Sequence, residues 1–246
     1  MSGQATQAAA MLRLRYQPII RLNGGGVSHV EVLARLLGQN GQLAGPASLV
    51  AAMENPERAL SLTSAIIHRA LSEYQAQGLS AHQLPLAFNL PLNVLVFPGI
   101  VQRIEALRET HNLAAGLIRF ELTETQPVQD IRLAEESIAA LSAAGYGLAL
   151  DDIVPATPFL PALMNTSLGA VKLDRSVVVD TGPGARDFIL KIARLAASRS
   201  QDVIAEGIEA ASQLARMREY GVTHGQGFLF FRPLAVEELA ALLSGG

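Results

Sequence analysis

Polar residues interrupt the strand-like apolar runs of this chain at positions where chemistry can be done. The stretch LALDDIVPATPF, residues 148–159, ends an alternating apolar run with the adjacent carboxylates Asp151 and Asp152 and continues into a loop with Pro155 and Pro158. Other apolar runs are interrupted, or end, at Glu31, Asn89, Glu121, Lys172, Glu206 and Gln226. One acid at a strand end is ordinary, but so many on successive runs indicate a shared site.

The residue types in this set favour a site for hard divalent cations. Carboxylate and amide oxygens are ligands for Mg²⁺, Mn²⁺ or Ca²⁺, and the set has neither the thiolates nor the paired histidines of tetrahedral zinc. Several acids in one dry pocket repel each other strongly without cations. Adjacent aspartates suit two metals, and a two-metal centre activates water for in-line phosphoryl displacement. Lys172 can then orient the water or offset phosphate charge.

The sequence contains eight strand-like runs, most of them followed by a predicted helix, and these elements must position the polar residues. The first two runs, LRYQPIIRL and VSHVEVLARL, are joined by the turn NGGG and predict an antiparallel hairpin. Later runs alternate with apolar residues at helical spacing, such as Ile67, Leu71 and Tyr74, and HGQGFLFF is predicted as the last strand. This rhythm favours an α/β fold, a TIM-type (β/α)8 barrel with an antiparallel first strand. Strand C-termini converge on one face of such a barrel, so the polar residues are expected to share a pocket.

Composition narrows the class of protein further. The 246 residues are 50% hydrophobic and carry a net charge of −3 without a basic cluster, which argues against a nucleic-acid polymer as partner. The absence of cysteine excludes disulfides and thiolate metal sites, and no run approaches the roughly 20 apolar residues of a membrane span. We expect a soluble cytoplasmic protein without a signal peptide or membrane association. The expected division is an N-terminal extension over residues 1–12 and one barrel domain over residues 13–246.

Eight motifs, taken in order and spacing, resemble the EAL domain of bacterial cyclic di-GMP phosphodiesterases. The motifs are YQPI at Tyr16, EVLAR at Glu31, FNL at Phe88, ELTE at Glu121, LDD at Leu150, VKLD at Val171, AEGIE at Ala205 and GQGFLFFRP at Gly225. One Glu-x-Leu carries little information, whereas eight such motifs between about Arg15 and Leu242 are specific. The resemblance implies a barrel with a reversed first strand. It also implies hydrolysis of cyclic di-GMP to linear pGpG with two Mg²⁺ or Mn²⁺ ions, and inhibition by Ca²⁺.

The same resemblance implies roles for individual residues. The implied metal ligands are Glu31, Asn89, Glu121 and Asp151 for one ion and Asp151 and Asp152 for the other, with Glu206 close by. Lys172 matches the family's water-positioning lysine and, together with Glu31 and Glu206, is a predicted catalytic residue. The predicted nucleotide contacts are Gln17, Leu33, Arg35, Gln226 and Pro233. Two further glutamates, Glu124 and Glu209, match positions that contact the metal ligands without binding the metal themselves.

Two stretches depart from the family pattern. EAL reads EVL here, and because Val32 supplies no ligand we expect this change to be tolerated. After the paired aspartates the family usually has Phe-Gly-Thr-Gly-Tyr-Ser-Ser-Leu, whereas residues 153–160 read IVPATPFL. In the family this loop is tied to the glutamate that matches Glu124 and helps to couple dimerisation and metal binding to turnover. Since proline fixes φ and lacks an N–H donor, the loop is not expected to adopt the family's hydrogen-bonded turn.

Four functions therefore stay open. The first is an active phosphodiesterase, and the second is a receptor that binds cyclic di-GMP with little or no hydrolysis. The third is a barrel kept as a protein-interaction module, and the fourth is an unrelated metal-dependent barrel. A homodimer and a signalling-protein partner also stay open.

Overall fold

Eight strands close into a barrel in the order in which they follow one another along the chain. The computed structural model describes residues 12–37, 49, 56–123 and 131–245. The strands are β1 Leu12–Arg21, β2 Val27–Leu36, β3 Leu86–Pro91, β4 Ile118–Thr123, β5 Gly147–Ile153, β6 Ala170–Leu173, β7 Asp202–Ala205 and β8 His224–Gly225. The predicted α/β barrel of TIM type is confirmed.

The first strand runs against all the others, as the hairpin pattern predicted. β1 pairs antiparallel with β2, with Leu12 opposite Leu36, and antiparallel with β8, with Arg21 opposite His224. The remaining neighbours, from β2 to β8, pair in parallel. The turn between β1 and β2 has positive φ at three successive glycines, residues 24–26. Residues with a Cβ rarely adopt this backbone conformation. The glycine run therefore serves the hairpin.

Helices surround the barrel and cover its outer face. Within the described residues they are α1 Pro56–Ala76, α2 Leu92–Leu95, α3 Ile100–Thr110, α4 Ile131–Ala143, α5 Leu160–Leu163, α6 Arg175–Val179, α7 Pro183–Ala197, α8 Ala211–Glu219 and α9 Val236–Ser244. The apolar positions predicted from helical spacing face inward, and Ile67, Leu71 and Tyr74 are at most 3% exposed. Among these described helices, none has the length and apolar character needed to cross a bilayer.

The inside of the barrel changes from apolar to polar along its axis. A buried cluster, which we call the apolar floor, consists of Ile19, Ala149, Ala170 and Ile204. Because strand side chains alternate between faces, the residue two positions further along β5 and β6 also points inward, and these residues are Asp151 and Lys172. The same spacing from Ile204 on β7 gives Glu206, just beyond the strand end. The acids therefore lie directly above an apolar layer, at the C-terminal end of the barrel.

The last strand is much shorter than the predicted HGQGFLFF. Only His224 and Gly225 pair in the sheet. The Gln226 carbonyl then accepts from Ile208 N, and the Leu229 N–H donates to the Ile208 carbonyl, so this segment pairs with the loop after β7. A Cβ on Gly227 would lie 2.2 Å from the Ile208 carbonyl oxygen, so only glycine allows this approach. The apolar pattern of the segment therefore does not mark a strand, and two of its apolar side chains, Phe228 and Leu229, are exposed.

Candidate metal centre

A bulge in β5 explains how two adjacent aspartates face one cavity. Regular alternation would turn Asp151 and Asp152 to opposite faces of the sheet. The pairing with β6 instead shifts between Leu150 and Ile153, where β5 carries one residue more than its partner. Asp152 occupies the extra position with φ +52°, a left-handed conformation that aspartate tolerates better than most residues. Both carboxylates consequently line the same cavity.

The centre of the site is the ammonium group of Lys172, whose side chain is completely buried. Its Nζ lies 2.6 Å from Glu206 Oε1, 2.8 Å from Glu121 Oε2 and 2.9 Å from Asp151 Oδ1. Glu31 Oε2 is further away, at 3.8 Å. One cation from β6 thus contacts acids contributed by β2, β4, β5 and the end of β7. The convergence expected from the sequence is present.

Amide side chains fix the orientation of Glu31. Gln226 Nε2 donates to Glu31 Oε2 at 2.6 Å, and Asn89 Nδ2 donates to Glu31 Oε1 at 3.1 Å. Gln226 Nε2 also approaches Gln17 Oε1 at 3.1 Å, and Gln17 Nε2 donates to the Phe231 carbonyl. Because Asn89 donates through nitrogen, its side-chain oxygen is left to face the cavity, which Asn89 lines. These contacts hold the β2 carboxylate beside the lysine.

The cavity above this cluster has a volume of about 490 Å³. Most predicted site residues line it, namely Gln17, Glu31, Leu33, Arg35, Asn89, Asp151, Asp152, Glu206, Glu209 and Gln226. Glu121 and Lys172 lie beneath its wall, at 1% and 0% exposure. Pro233 follows the Phe228–Arg232 segment and does not line the cavity. Glu124 lies outside the described residues.

With all of its acids ionised the cluster would be strongly negative, because four carboxylates contact one ammonium and the Asp152 carboxylate lies beside them. Burial lowers the pKa of Lys172, but attraction to Asp151, Glu121, Glu206 and Glu31 outweighs it, so its pKa is raised well above the usual value. Lys172 therefore stays protonated and acts as a hydrogen-bond donor. Burial alone would raise the pKa of Glu31, but Lys172 and the bonds from the two amides lower it.

The other carboxylates bind protons more tightly than usual. Burial raises the pKa of Glu206 to about 8, with Lys172 opposing the shift and the Asp151 charge adding to it. Partial burial and the neighbouring Asp151 charge raise the pKa of Asp152 to about 6. Burial also raises the pKa of Glu121 and of Asp151. Fully ionised, these acids would carry more negative charge than the single lysine can balance.

The residues present fit divalent cations. Carboxylate oxygens of Asp151, Asp152 and Glu206 lie within 4.8 Å of one another, a spacing that oxygens bound to one ion at 2.0–2.6 Å can have. Glu121 Oε1 is buried without a hydrogen-bond partner. Buried polar atoms are nearly always satisfied, so an orphaned oxygen in an acidic cluster indicates a place for a cation. The chemistry of the donors, all oxygen, agrees with Mg²⁺ or Mn²⁺.

The divergent loop after Asp152 forms a turn of its own. Thr157 N donates to the Val154 carbonyl at 3.0 Å, and Val154 N donates to Thr157 Oγ1 at 2.8 Å. Pro155 takes the second position of this four-residue turn, which its fixed φ suits. The loop therefore closes without glycine, and the hydroxyl of Thr157 supplies a hydrogen bond that the prolines cannot.

Among the residues of the cavity wall that the sequence did not predict are one with a charged side chain and one with an aromatic side chain. Arg175, directly after the cap residue Asp174, reaches the rim and pairs with Glu209 at 3.0 Å. Phe228 is 48% exposed and lines the cavity, with Arg232 Cζ 4.3 Å from its ring centroid. Arg175 directly follows the motif VKLD, and Phe228 lies within the motif GQGFLFFRP. Only the fold shows that these two side chains reach the cavity.

Comparisons with known proteins agree with this geometry. The family model described as EAL domain matches residues 4–233. Two relatives from Pseudomonas aeruginosa are the cyclic di-GMP phosphodiesterases NbdA, 30% identical over 235 residues, and RocR, 28% identical over 232 residues. The aligned region is 94% of this chain in both cases, but only 30% of NbdA and 59% of RocR. The chain thus spans a part of these longer relatives.

The fold is also similar to that of a solved EAL enzyme. The EAL enzyme Bd1971, in a form with cAMP and cyclic di-GMP bound, superposes with a TM-score of 0.87 at 26% identity. The match covers 98% of this chain and 66% of that one. Sequence motifs, barrel topology with a reversed first strand, and the family model all agree, and the chain belongs to the EAL domain family.

Proposed function

We propose that this chain is a metal-dependent phosphodiesterase that hydrolyses cyclic di-GMP to linear pGpG. The observation that carries the proposal is the group of four carboxylates around buried Lys172, with Asp152 beside them, at the floor of a cavity of nucleotide size. Relatives named as cyclic di-GMP phosphodiesterases add support, because they align with 94% of this chain.

In this proposal Glu31, Asn89, Glu121 and Asp151 hold one Mg²⁺ or Mn²⁺, and Asp151, Asp152 and Glu206 hold a second. Two such ions, when bound, supply charge neutralisation at the phosphate and an activated water. Lys172 carries three donor protons and stays charged, so it orients oxygen atoms and does not serve as a base. Gln226 and Asn89 keep Glu31 in place by donating to its two oxygens. The apolar floor beneath excludes water from below.

The test is to incubate the protein with cyclic di-GMP and Mn²⁺ or Mg²⁺ and to follow pGpG by chromatography. We expect pGpG to accumulate only with the metal, and Ca²⁺ to suppress it. A second reaction with a cyclic dinucleotide of adenine serves as the specificity control. Absence of pGpG with either metal would contradict the proposed hydrolysis.

The raised carboxyl pKa values predict that metal affinity increases with pH. At pH 6 Glu206 is mostly protonated in the metal-free protein, because its pKa is about 8, and Asp152 is half protonated, because its pKa is about 6. Ligation requires carboxylates, so metal binding releases these protons and is weaker where they are held more firmly. We expect Mn²⁺ affinity to rise by about 10-fold per pH unit between pH 6 and 8 for each proton released.

Mn²⁺ titration calorimetry in two buffers of different ionisation enthalpy measures both the affinity and the number of protons. Glu206→Gln is the matched variant, since it removes the higher of the two titrations and should flatten the profile above pH 7. An affinity that does not change from pH 6 to 8 would contradict the prediction.

A second function is favoured by one observation, the rebuilt loop after Asp152. The turn held by Thr157 differs in sequence from the family loop that is tied to turnover, and it directly follows a ligand in a left-handed conformation. In that case the chain binds cyclic di-GMP without hydrolysing it. Binding measured by calorimetry in Ca²⁺, combined with no pGpG in Mn²⁺, would favour this receptor function over the enzyme.

A further inference from the structure

The cavity has two arginines on opposite sides of its acidic floor. Of the described residues that line it, five are acidic and two are cationic, Arg35 and Arg175. Arg35 belongs to β2 and Arg175 follows β6. In a closed barrel of eight strands in sequence order, the second and sixth strands are diametrically opposed. The two guanidinium groups therefore flank the carboxylate cluster from opposite rims.

The local structure holds Arg175 at its rim. Asp174 caps α6 by accepting from Ser176 N at 2.8 Å, which fixes where the helix begins and the direction in which Arg175 leaves it. The stem of Arg175 lies across Gly207, where an added Cβ would be 2.5 Å from Arg175 Cγ. Gly207 has φ +66°, which favours glycine as well. The lack of a Cβ at Gly207 thus leaves the space that the Arg175 side chain fills.

Arg175 forms an ion pair with a carboxylate of the chain itself. Its Nη2 lies 3.0 Å from Glu209 Oε1, and the two side chains are 59% and 40% exposed. Ion pairs so exposed contribute little, because water and salt screen them. A phosphate can replace the carboxylate, since a guanidinium binds both in the same paired geometry.

We propose that Arg175 binds the phosphate of the substrate that is not cleaved, and so selects dinucleotides over simple phosphodiesters. This inference rests on the proposed function. The two phosphates of a cyclic dinucleotide lie on opposite sides of its ring. When one faces the acids and their ions, the other must lie near the rim, where unbalanced carboxylates would repel it. Arg175 is the cation on that side of the cavity, and the phosphate would replace Glu209 as its partner.

The experiment compares Arg175→Ala with the wild type on two ligands. Calorimetry with cyclic di-GMP in Ca²⁺ should show a dissociation constant about 10- to 100-fold higher in the variant, the range for one charge-assisted contact. Turnover of bis(p-nitrophenyl) phosphate in Mn²⁺, a diester with one phosphate, should be unchanged. Arg175→Lys should recover part of the affinity, because it keeps the charge and loses the planar fork.

Further variants separate binding from a structural role. Glu209→Gln should tighten cyclic di-GMP binding about 2- to 5-fold by removing the competing anion. Arg186→Ala, at an exposed position on α7, is the matched control and should bind like the wild type. The wild type should lose affinity with rising salt more steeply than Arg175→Ala, since one phosphate contact is missing in the variant.

The outcomes are distinct. Unchanged cyclic di-GMP binding in Arg175→Ala would overturn the assignment while leaving the proposed function intact. An equal loss on the simple diester would also overturn it, because Arg175 would then support the whole site. If the wild type binds cyclic di-GMP without cleaving it, the difference in dissociation constant still decides. Absence of binding by the wild type would overturn both proposals.

Discussion

Replacing Lys172 with methionine is expected to lower turnover of cyclic di-GMP by at least about 100- to 1000-fold, the effect of removing one preorganised charged donor. Methionine preserves much of the volume but leaves the four carboxylates that contact Lys172 without its ammonium. Metal binding should persist, because the cluster becomes more negative. The loss should therefore appear in kcat and much less in the dissociation constant for cyclic di-GMP measured in Ca²⁺.

The same variant should be less stable without metal. Removing one partner of a buried ion pair leaves uncompensated charge and costs about 3–5 kcal/mol. The acids can bind protons instead, so the loss should be larger at pH 8 than at pH 6, where more of them are protonated. Thermal denaturation with and without Mn²⁺ at both pH values measures this, with Lys191→Met on the exposed face of α7 as control. Turnover within a few fold of the wild type would show that Lys172 has only a structural role.

Replacing Glu31 with glutamine is expected to reduce turnover by about 1000-fold or more, equivalent to roughly 4 kcal/mol of transition-state stabilisation. The substitution removes a carboxylate from the centre but keeps its shape and polarity. Gln226 has a buried side-chain oxygen without a partner, and turning its amide would present that oxygen to the new NH₂ group. The fold should therefore survive while the charge that holds a cation is lost.

The measurement for Glu31→Gln combines initial rates in Mn²⁺ with the rise in melting temperature that Mn²⁺ gives. Both should fall together, because stabilisation by a ligand depends on its affinity for the folded state. Glu219→Gln, at an exposed position on α8, is the matched control and should behave like the wild type. Wild-type rates in Glu31→Gln would remove Glu31 from the metal centre.

Much of this architecture is readable in the sequence because it follows from periodicity. The alternation that makes Ala149 and Asp151 share a face, and likewise Ala170 and Lys172, places acids and lysine above one apolar layer. The alternation of strands and helices predicts the closed barrel, and the barrel brings the strand ends together. Residues far apart in sequence could for this reason be assigned to one cavity.

Other features depend on contacts that no local pattern encodes. The bulge at Asp152 arises from how β5 meets β6, and two adjacent acids alone do not reveal it. Arg175 reaches the cavity because Gly207, more than thirty positions later, leaves room for its stem. The apolar segment after Gly225 reads as a strand, yet it pairs with the loop around Ile208. In each case a tertiary partner decides between alternatives that the sequence pattern leaves equal.

The reversed direction of β1 determines where the chain enters the barrel. Because Leu12 pairs with Leu36, at the far end of β2, the first strand begins on the side of the molecule that carries the cavity. A barrel whose first strand is parallel would be entered from the opposite end. Leu12, the first residue of β1, therefore lies on the side of the cavity mouth, only five residues from Gln17, which contacts Gln226. A displacement of Leu12 would therefore reach the site along a single strand, β1.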